Sequence, residues 1–218
     1  MKKILFIFSV SLLCICVSTS LAQIQNTAHD LSSGSGYAFN QATVQSTNVN
    51  RICVFCHTPH QPSGTTTDPL WNHTLSSAAS YGVYASGTMN AVPTEVVGSG
   101  GTSELCMSCH DGTVGVGSLY NTTAPAPDNA AVLILPANSV YLGTDLTNDH
   151  PVNFTYDTAL ATADGGLYDP AATPAVAALL VGGTVQCSSC HDPHDNTFGS
   201  FLVASNAASA LCLTCHNK

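Results

Sequence analysis

Apolar residues are densest at the start of the chain, and afterwards they rarely recur at the spacing of a long helix or strand. The segment Pro174 to Val181 predicts one short helix, and Ala131 to Leu135 predicts one strand. Most of the remaining chain is interrupted by Gly, Pro, Asn and Ser, which favour turns. The sequence therefore predicts a mostly coil protein with a few short helices and little or no sheet.

The first residues have the pattern of an export signal. Lys2 and Lys3 precede an apolar run from Ile4 to Val17, and Ser20-Leu21-Ala22 provides small residues at a cleavage site. The run is shorter than the roughly 20 residues that a membrane-spanning helix needs. We therefore predict a signal peptide over residues 1–22 and an exported chain without a membrane span, on the cell surface, outside the cell or in the periplasm.

Charge narrows the choice of partners. The whole chain has a formal charge of −9, and removal of residues 1–22 deletes two of its four basic residues, which leaves −11. Nucleic acid and acidic membrane surfaces are poor partners for such a chain. Only 8% of the residues are charged, which is too few for a typical disordered tail.

The cysteines carry the strongest chemical signal. Ten occur, two of them in the predicted signal peptide, and the other eight form four Cys-x-x-Cys-His motifs with none left over. This is the attachment pattern of c-type haem, in which two thiols on one side of a helical turn bind the porphyrin and the histidine binds its iron. We predict four covalently bound haem c groups, held by Cys53, Cys56 and His57; Cys106, Cys109 and His110; Cys187, Cys190 and His191; and Cys212, Cys215 and His216.

Two other uses of paired cysteines explain the pattern less well. Four disulfides would suit an exported protein but give no reason for a histidine after every second cysteine. Zinc would need a further ligand set for each pair and would not demand the adjacent histidine.

Each iron also needs a second axial ligand or an open position. Methionine is nearly excluded, because Met1 lies in the signal peptide, Met107 lies inside a motif and only Met89 remains. Five histidines lie outside the motifs, so ligation of every iron by two histidines is the economical prediction.

The spacing of these histidines predicts their roles. His60 and His194 each follow a motif histidine by three residues, a span of at most about 10 Å, so each is expected to ligate a neighbouring haem. His150 is a further predicted ligand, oriented by Asp149 or by a backbone carbonyl. His29 is either a ligand on the N-terminal arm or an exposed residue, and His73, beside Trp71, is left out as a packed loop side chain.

The four motifs fall into two similar pairs. In each pair the first motif ends in His-x-Pro-His, and Ser-x-Leu introduces the second. We predict one tetrahaem domain over residues 23–218, with halves at about 23–120 and 121–218. Because the pattern predicts no sizeable sheet or bundle, the haems are expected to form the core, and the chain is not expected to fold without them.

Distinctive segments are spread over nearly the whole mature chain: Ala28-His29-Asp30-Leu31-Ser32, Pro69-Leu70-Trp71-Asn72, Ser108-Cys109-His110-Asp111-Gly112-Thr113-Val114, Asn148-Asp149-His150-Pro151-Val152 and both His-x-Pro-His segments. In these segments the chain resembles multihaem cytochromes with a doubled haem-attachment motif, and is similar to the OmcE-type tetrahaem cytochromes on the outer surface of metal-reducing bacteria. Some relatives form filaments in which a histidine near the mature N-terminus ligates a haem of the next subunit. The resemblance implies a homopolymer in which His29 has that role.

Electron transfer is the function these observations predict, with other redox proteins or extracellular acceptors as partners. The protein would be a filament or a soluble periplasmic shuttle. A haem enzyme that reduces nitrogen or sulfur oxyanions is a less favoured alternative, since it would need a vacant iron position and basic residues to hold an anion. We therefore predict an electron-transfer protein that is not an enzyme.

Overall fold

The computed structural model describes residues 23–37, 44–63 and 69–217, so the predicted signal peptide lies outside the described residues. Helices and strands are short throughout. The α-helices are α1 (Thr102–His110), α2 (Thr158–Asp164), α3 (Pro174–Ala177) and α4 (Cys212–Cys215). Strands β1 (Phe154–Thr155) and β2 (Thr184–Val185) pair antiparallel, and 3-10 turns cover Ile52–Phe55, Cys187–Ser189 and Ala207–Ser209. The predicted fold class, mostly coil with little sheet, is confirmed.

Local signals explain where the helices of the second half begin and end. The Asp157 side chain accepts a hydrogen bond from the Leu160 amide at 2.9 Å and so caps the start of α2. Gly165 ends α2 with a φ of +68°, a conformation that glycine adopts without strain. No helix in the described part of the chain is long and apolar enough to span a bilayer.

The helix predicted over Pro174 to Val181 covers only Pro174–Ala177. Its continuation is replaced by a tight turn in which the amides of Val181 and Thr184 each donate to the other residue's carbonyl, at 2.9 and 3.0 Å. Gly182 and Gly183 supply the two positive φ angles at the centre of that turn. The turn returns the chain into β2.

The strand predicted over Ala131 to Leu135 is wrong. The Val132 amide donates to the Asn129 carbonyl at 3.0 Å, which closes a turn, and its carbonyl accepts from the Val116 amide at 2.9 Å. Ile134 packs with Val44 and Val116, so the apolar residues of this segment fill a loop-built cluster instead of a sheet face.

Four small apolar clusters take the place of a single core in the described residues. The largest joins β1, β2, α2 and α3 through Phe154, Leu160 and Val176, and Cys215 packs against it. Of the other three clusters, one contains Met107, one has Cys109 packed against it and one has Cys56 packed against it. Apolar packing is therefore concentrated beside the predicted haem-attachment motifs.

Candidate haem sites

All four motifs lie on helical turns, as predicted. In three motifs the amide of the motif histidine donates to the carbonyl of the first cysteine. The accepting carbonyls are those of Cys53, Cys187 and Cys212, at 2.8, 3.0 and 3.0 Å. The Cys106 motif lies inside α1, where the regular helix gives the same spacing. Each turn therefore brings its two thiols to the same side of the backbone.

Backbone carbonyls orient the motif histidines. The Nδ1 atoms of His57, His110 and His191 lie 2.6, 2.9 and 2.9 Å from the carbonyl oxygens of Pro69, Val140 and Ser200. A histidine that binds a metal through Nε2 commonly donates its Nδ1–H to such a carbonyl, which fixes the tautomer and the ring orientation. The three rings are thus held with Nε2 free to bind an iron.

Three histidines from outside the motifs lie close to motif histidines. Ring centroids are 6.2 Å apart for His29 and His110, 5.9 Å for His57 and His194, and 6.4 Å for His150 and His216. Each pair therefore combines one motif histidine with one histidine from elsewhere in the chain.

These separations fit a haem iron. Imidazole nitrogens bind such metals at about 2 Å, and the ring centre lies about 1 Å further out, so two imidazoles on opposite sides of one metal have centroids about 6 Å apart. Ordinary ring contacts, edge-to-face for two pairs and near-parallel for His57 and His194, give similar separations. Such contacts do not explain why every pair joins a motif histidine to one outside a motif. The residues present therefore fit haem, whose iron supplies one-electron chemistry between its ferric and ferrous forms.

His29 is half-buried within its own chain. Its ring stacks on Phe201 at 4.2 Å, and its Nδ1 is a buried atom without a hydrogen-bond partner in the described residues. Burial, followed by the nearby His110, lowers the pKa of His29 to about 4, and the Pro193 carbonyl acts in the opposite direction. At neutral pH the ring is uncharged, which is the form that binds a metal.

His150 and His194 are exposed, and each has a nearby acceptor. Nδ1 of His150 lies 2.9 Å from the Pro151 carbonyl, so a backbone carbonyl and not Asp149 orients this ring. Nδ1 of His194 lies 3.3 Å from the Asp192 carboxylate. His60 is also exposed, and within the described ranges neither His60 nor His191 has a histidine ring opposite it at such a distance.

Both ring nitrogens of His73 face backbone carbonyls. Nδ1 lies 2.7 Å from the Thr74 carbonyl and Nε2 lies 3.0 Å from the Gly115 carbonyl, in a position that is only 1% exposed. Nε2 is also 3.4 Å from Sγ of Cys109. This histidine packs beside a haem-attachment cysteine and offers no free nitrogen to an iron.

Burial raises the pKa of several motif thiols. It raises the pKa of Cys56 and of Cys109 to about 12, so at neutral pH both are uncharged groups suited to an apolar porphyrin edge. The Cys106 thiol contacts Cys187 of another motif, which raises the pKa of Cys106 and lowers the pKa of Cys187 to about 7. None of the eight motif cysteines, all of which lie in the described ranges, forms a disulfide.

A buried side chain that the sequence analysis did not single out joins the second and third motifs. Gln186 is 3% exposed; its Oε1 accepts from the Ser103 amide at 3.2 Å and its Nε2 donates to Asn153 at 2.9 Å. The Cys187 amide donates to Ser103 Oγ at 3.0 Å, so α1 and the turn that carries the third motif are held together. Neither this role nor the carbonyl partners of the histidines leaves a residue-type signal in the sequence.

Comparison with known families agrees with this geometry. The family model for a doubled CXXCH motif matches residues 180–218, which include the third and fourth motifs. No curated protein matches the chain. The doubled motif supports a multihaem c-type cytochrome with covalently bound haem, a class of protein that transfers electrons.

Proposed function

We propose that this protein carries electrons along four covalently bound haems whose irons are each ligated by two histidines. The observation that carries the proposal is the separation of three histidine pairs, each wide enough for one iron between the two rings. The pairs are His29 with His110, His194 with His57, and His150 with His216. In the same scheme the two remaining histidines, His60 and His191, ligate the fourth iron. His57 and His60 would then serve two different haems, as would His191 and His194.

Covalent haem is tested first by mass. The exported protein should carry four haem additions, and its spectrum in alkaline pyridine should give four haem c groups per chain. A Cys187→Ser/Cys190→Ser double variant provides the matched control, because it should lose one haem and retain three. A mature chain with the mass of its amino acids alone would exclude the proposal.

Ligation by two histidines separates electron transfer from haem enzyme chemistry. With both axial positions filled, the reduced protein should give little spectral change with carbon monoxide and a fully low-spin ferric spectrum. Electron transfer then needs only that the protein holds the irons, fixes their ligands and tunes their potentials. A large carbon monoxide response from the wild-type protein would favour a reductase instead.

The finer proposal is an exported protein that forms filaments outside the cell, of the kind that the resemblance implies. His29 would ligate a haem of the neighbouring subunit. The arm at residues 23–35 lies against the body of its own chain here, through bonds such as Gln23 N to His194 O at 2.7 Å. An exchanged arm makes the same contacts with a neighbour, as in domain swapping.

Assembly and arm exchange need separate measurements. Electron microscopy of the secreted fraction should show filaments, and His29→Ala should abolish them while most haem attachment is retained. His73→Gln is the control, since that histidine offers no nitrogen to an iron and the variant should still assemble. Monomers from the wild-type protein would favour a soluble periplasmic shuttle, in which His29 ligates the iron of its own chain.

A further inference from the structure

Asp111 is a buried carboxylate directly after the motif histidine His110. It is 2% exposed and lies at the C-terminal end of α1. One carboxylate oxygen accepts from the amide and hydroxyl of Thr113 at 2.8 and 2.9 Å. The other accepts from the Tyr81 hydroxyl at 2.6 Å and from the Ser76 hydroxyl.

All of these donors are uncharged, so they stabilise the carboxylate without neutralising it. Asp111 has no salt-bridge partner in the described part of the chain. Within those residues, the acid and base side chains in contact are Asp192 and His194. Arg51 is the lone Lys or Arg of the described ranges, and it is exposed beside the first motif. The charge of Asp111 is therefore buried and uncompensated.

Asp111 lies one residue after His110 and two residues after Cys109, the groups that would hold the second haem. Consecutive Cα atoms are about 3.8 Å apart. The backbone therefore fixes the Asp111 carboxylate close to the ligand histidine, where its charge interacts with an iron bound there. In a dry site such interactions are stronger than at the surface, because little solvent screens them.

We propose that Asp111 is a positioning residue that lowers the reduction potential of the iron bound by His110, by holding an uncompensated negative charge beside that ligand. The inference rests on the proposed function, since it requires a haem at the second motif. Reduction adds one electron to the ferric iron, with no bond made or broken. A fixed negative charge stabilises the ferric form, which carries one more positive charge than the ferrous form.

Another motif of the same chain provides an internal control for Asp111. The residue after the motif histidine is Thr58, Asp111, Asp192 and Asn217 in the four motifs. Asp192 occupies the equivalent position, but its side chain is 47% exposed and lies 3.3 Å from His194. Solvent and salt screen an exposed charge, so Asp192 is expected to affect its iron much less.

The test is a potentiometric titration of the intact protein with its haems, comparing wild type with Asp111→Asn and Asp192→Asn. Asp111→Asn should move one of the one-electron components to a higher potential and leave the others in place. Asp192→Asn should move its component by a smaller amount. A shift for Asp111→Asn no larger than that for Asp192→Asn would overturn the inference.

Two further variants separate charge from loop structure. Thr113→Val removes a hydrogen-bond donor but keeps the charge, so an increase in potential equal to that of Asp111→Asn would also overturn the inference. Tyr81→Phe removes a donor that disperses the carboxylate charge, so the same component should move to a lower potential. If Asp111→Asn loses its haem, the Tyr81→Phe variant tests the inference instead. A shift of that component to a lower potential would support the role of Asp111, and a shift to a higher potential would overturn it.

Haem content is measured on every sample before titration. Fewer than four haems in the wild-type protein would contradict the proposed function. Four haems in both proteins, with no change of potential in Asp111→Asn, would contradict only the role of Asp111 and leave the proposed function intact.

Discussion

At the scale of single residues, the histidines differ in what their ring nitrogens contact. His57, His110 and His191 use Nδ1 to bond a backbone carbonyl and keep Nε2 free. Both nitrogens of His73 face backbone carbonyls in a buried position. The same residue type therefore serves either as a metal ligand or as a packed polar side chain, depending on which backbone atoms surround it.

Replacement of His150 should open one iron. His150→Ala removes the ring that lies 6.4 Å from His216, so the variant should keep all its haems but gain one high-spin ferric signal and bind carbon monoxide after reduction. Absorption and electron paramagnetic resonance spectra measure both effects. His73→Gln is the control and should stay low-spin; a high-spin iron in this control, with none in His150→Ala, would reverse the assignment.

At the scale of elements, short helical turns are joined to one another by buried side-chain hydrogen bonds. The joint between α1 and the Cys187–Ser189 turn includes Gln186, Ser103 and the Thr102 hydroxyl, which lies 2.6 Å from the Ser188 hydroxyl. Such joints compensate for the small apolar contact that elements of this length make. Their positions decide how the attachment motifs lie relative to one another.

Loss of the Gln186 side chain should weaken this joint. Gln186→Ala leaves the Ser103 amide and the Asn153 carboxamide oxygen without their buried partner, which costs about 1–3 kcal/mol of unfolding free energy. Denaturant titration of the protein with its haems measures the change. Gln25→Ala, at an exposed position, is the matched control and should stay within about 0.5 kcal/mol of wild type.

A close backbone approach should make one glycine irreplaceable. A Cβ on Gly115 would lie 2.1 Å from the Ala130 carbonyl oxygen, whereas a Cβ on Gly87 would meet nothing within 4 Å. Gly115→Ala is expected to cost about 1–3 kcal/mol through overpacking, and Gly87→Ala should be nearly neutral. Thermal unfolding of the two variants tests this, and equal midpoints would contradict the predicted crowding.

The sequence predicted the helical turns at the motifs and the shortage of sheet, because cysteine spacing and turn-forming residues are local signals. It did not predict α2, although Asp157 and Gly165 are ordinary start and stop signals for a helix. The predicted strand at Ala131 to Leu135 was wrong because apolar content alone does not show whether a partner strand exists. The carbonyls of Pro69, Val140 and Ser200 were beyond prediction, since any residue provides a backbone oxygen.

At the scale of the whole molecule, apolar burial is divided among small clusters that lie beside the motifs. Val49, Phe55 and Leu119 form one with Cys56 at its edge, and Phe154 and Val176 belong to another that Cys215 contacts. Clusters of this size bury too little surface to offset the conformational entropy of a mostly coil chain. The haem faces are the remaining apolar surface that could join them.

Removal of the haems should therefore unfold the protein. The same chain produced without haem attachment is expected to lack a cooperative thermal transition and to exchange its amide protons rapidly, because binding energy that favours only the folded state has been withdrawn. The Cys187→Ser/Cys190→Ser variant, which retains three haems, should fall between the haem-free chain and the complete protein. A haem-free chain with a sharp transition near that of the complete protein would mean that the loop-built clusters suffice, and that the haems occupy a fold that forms before them.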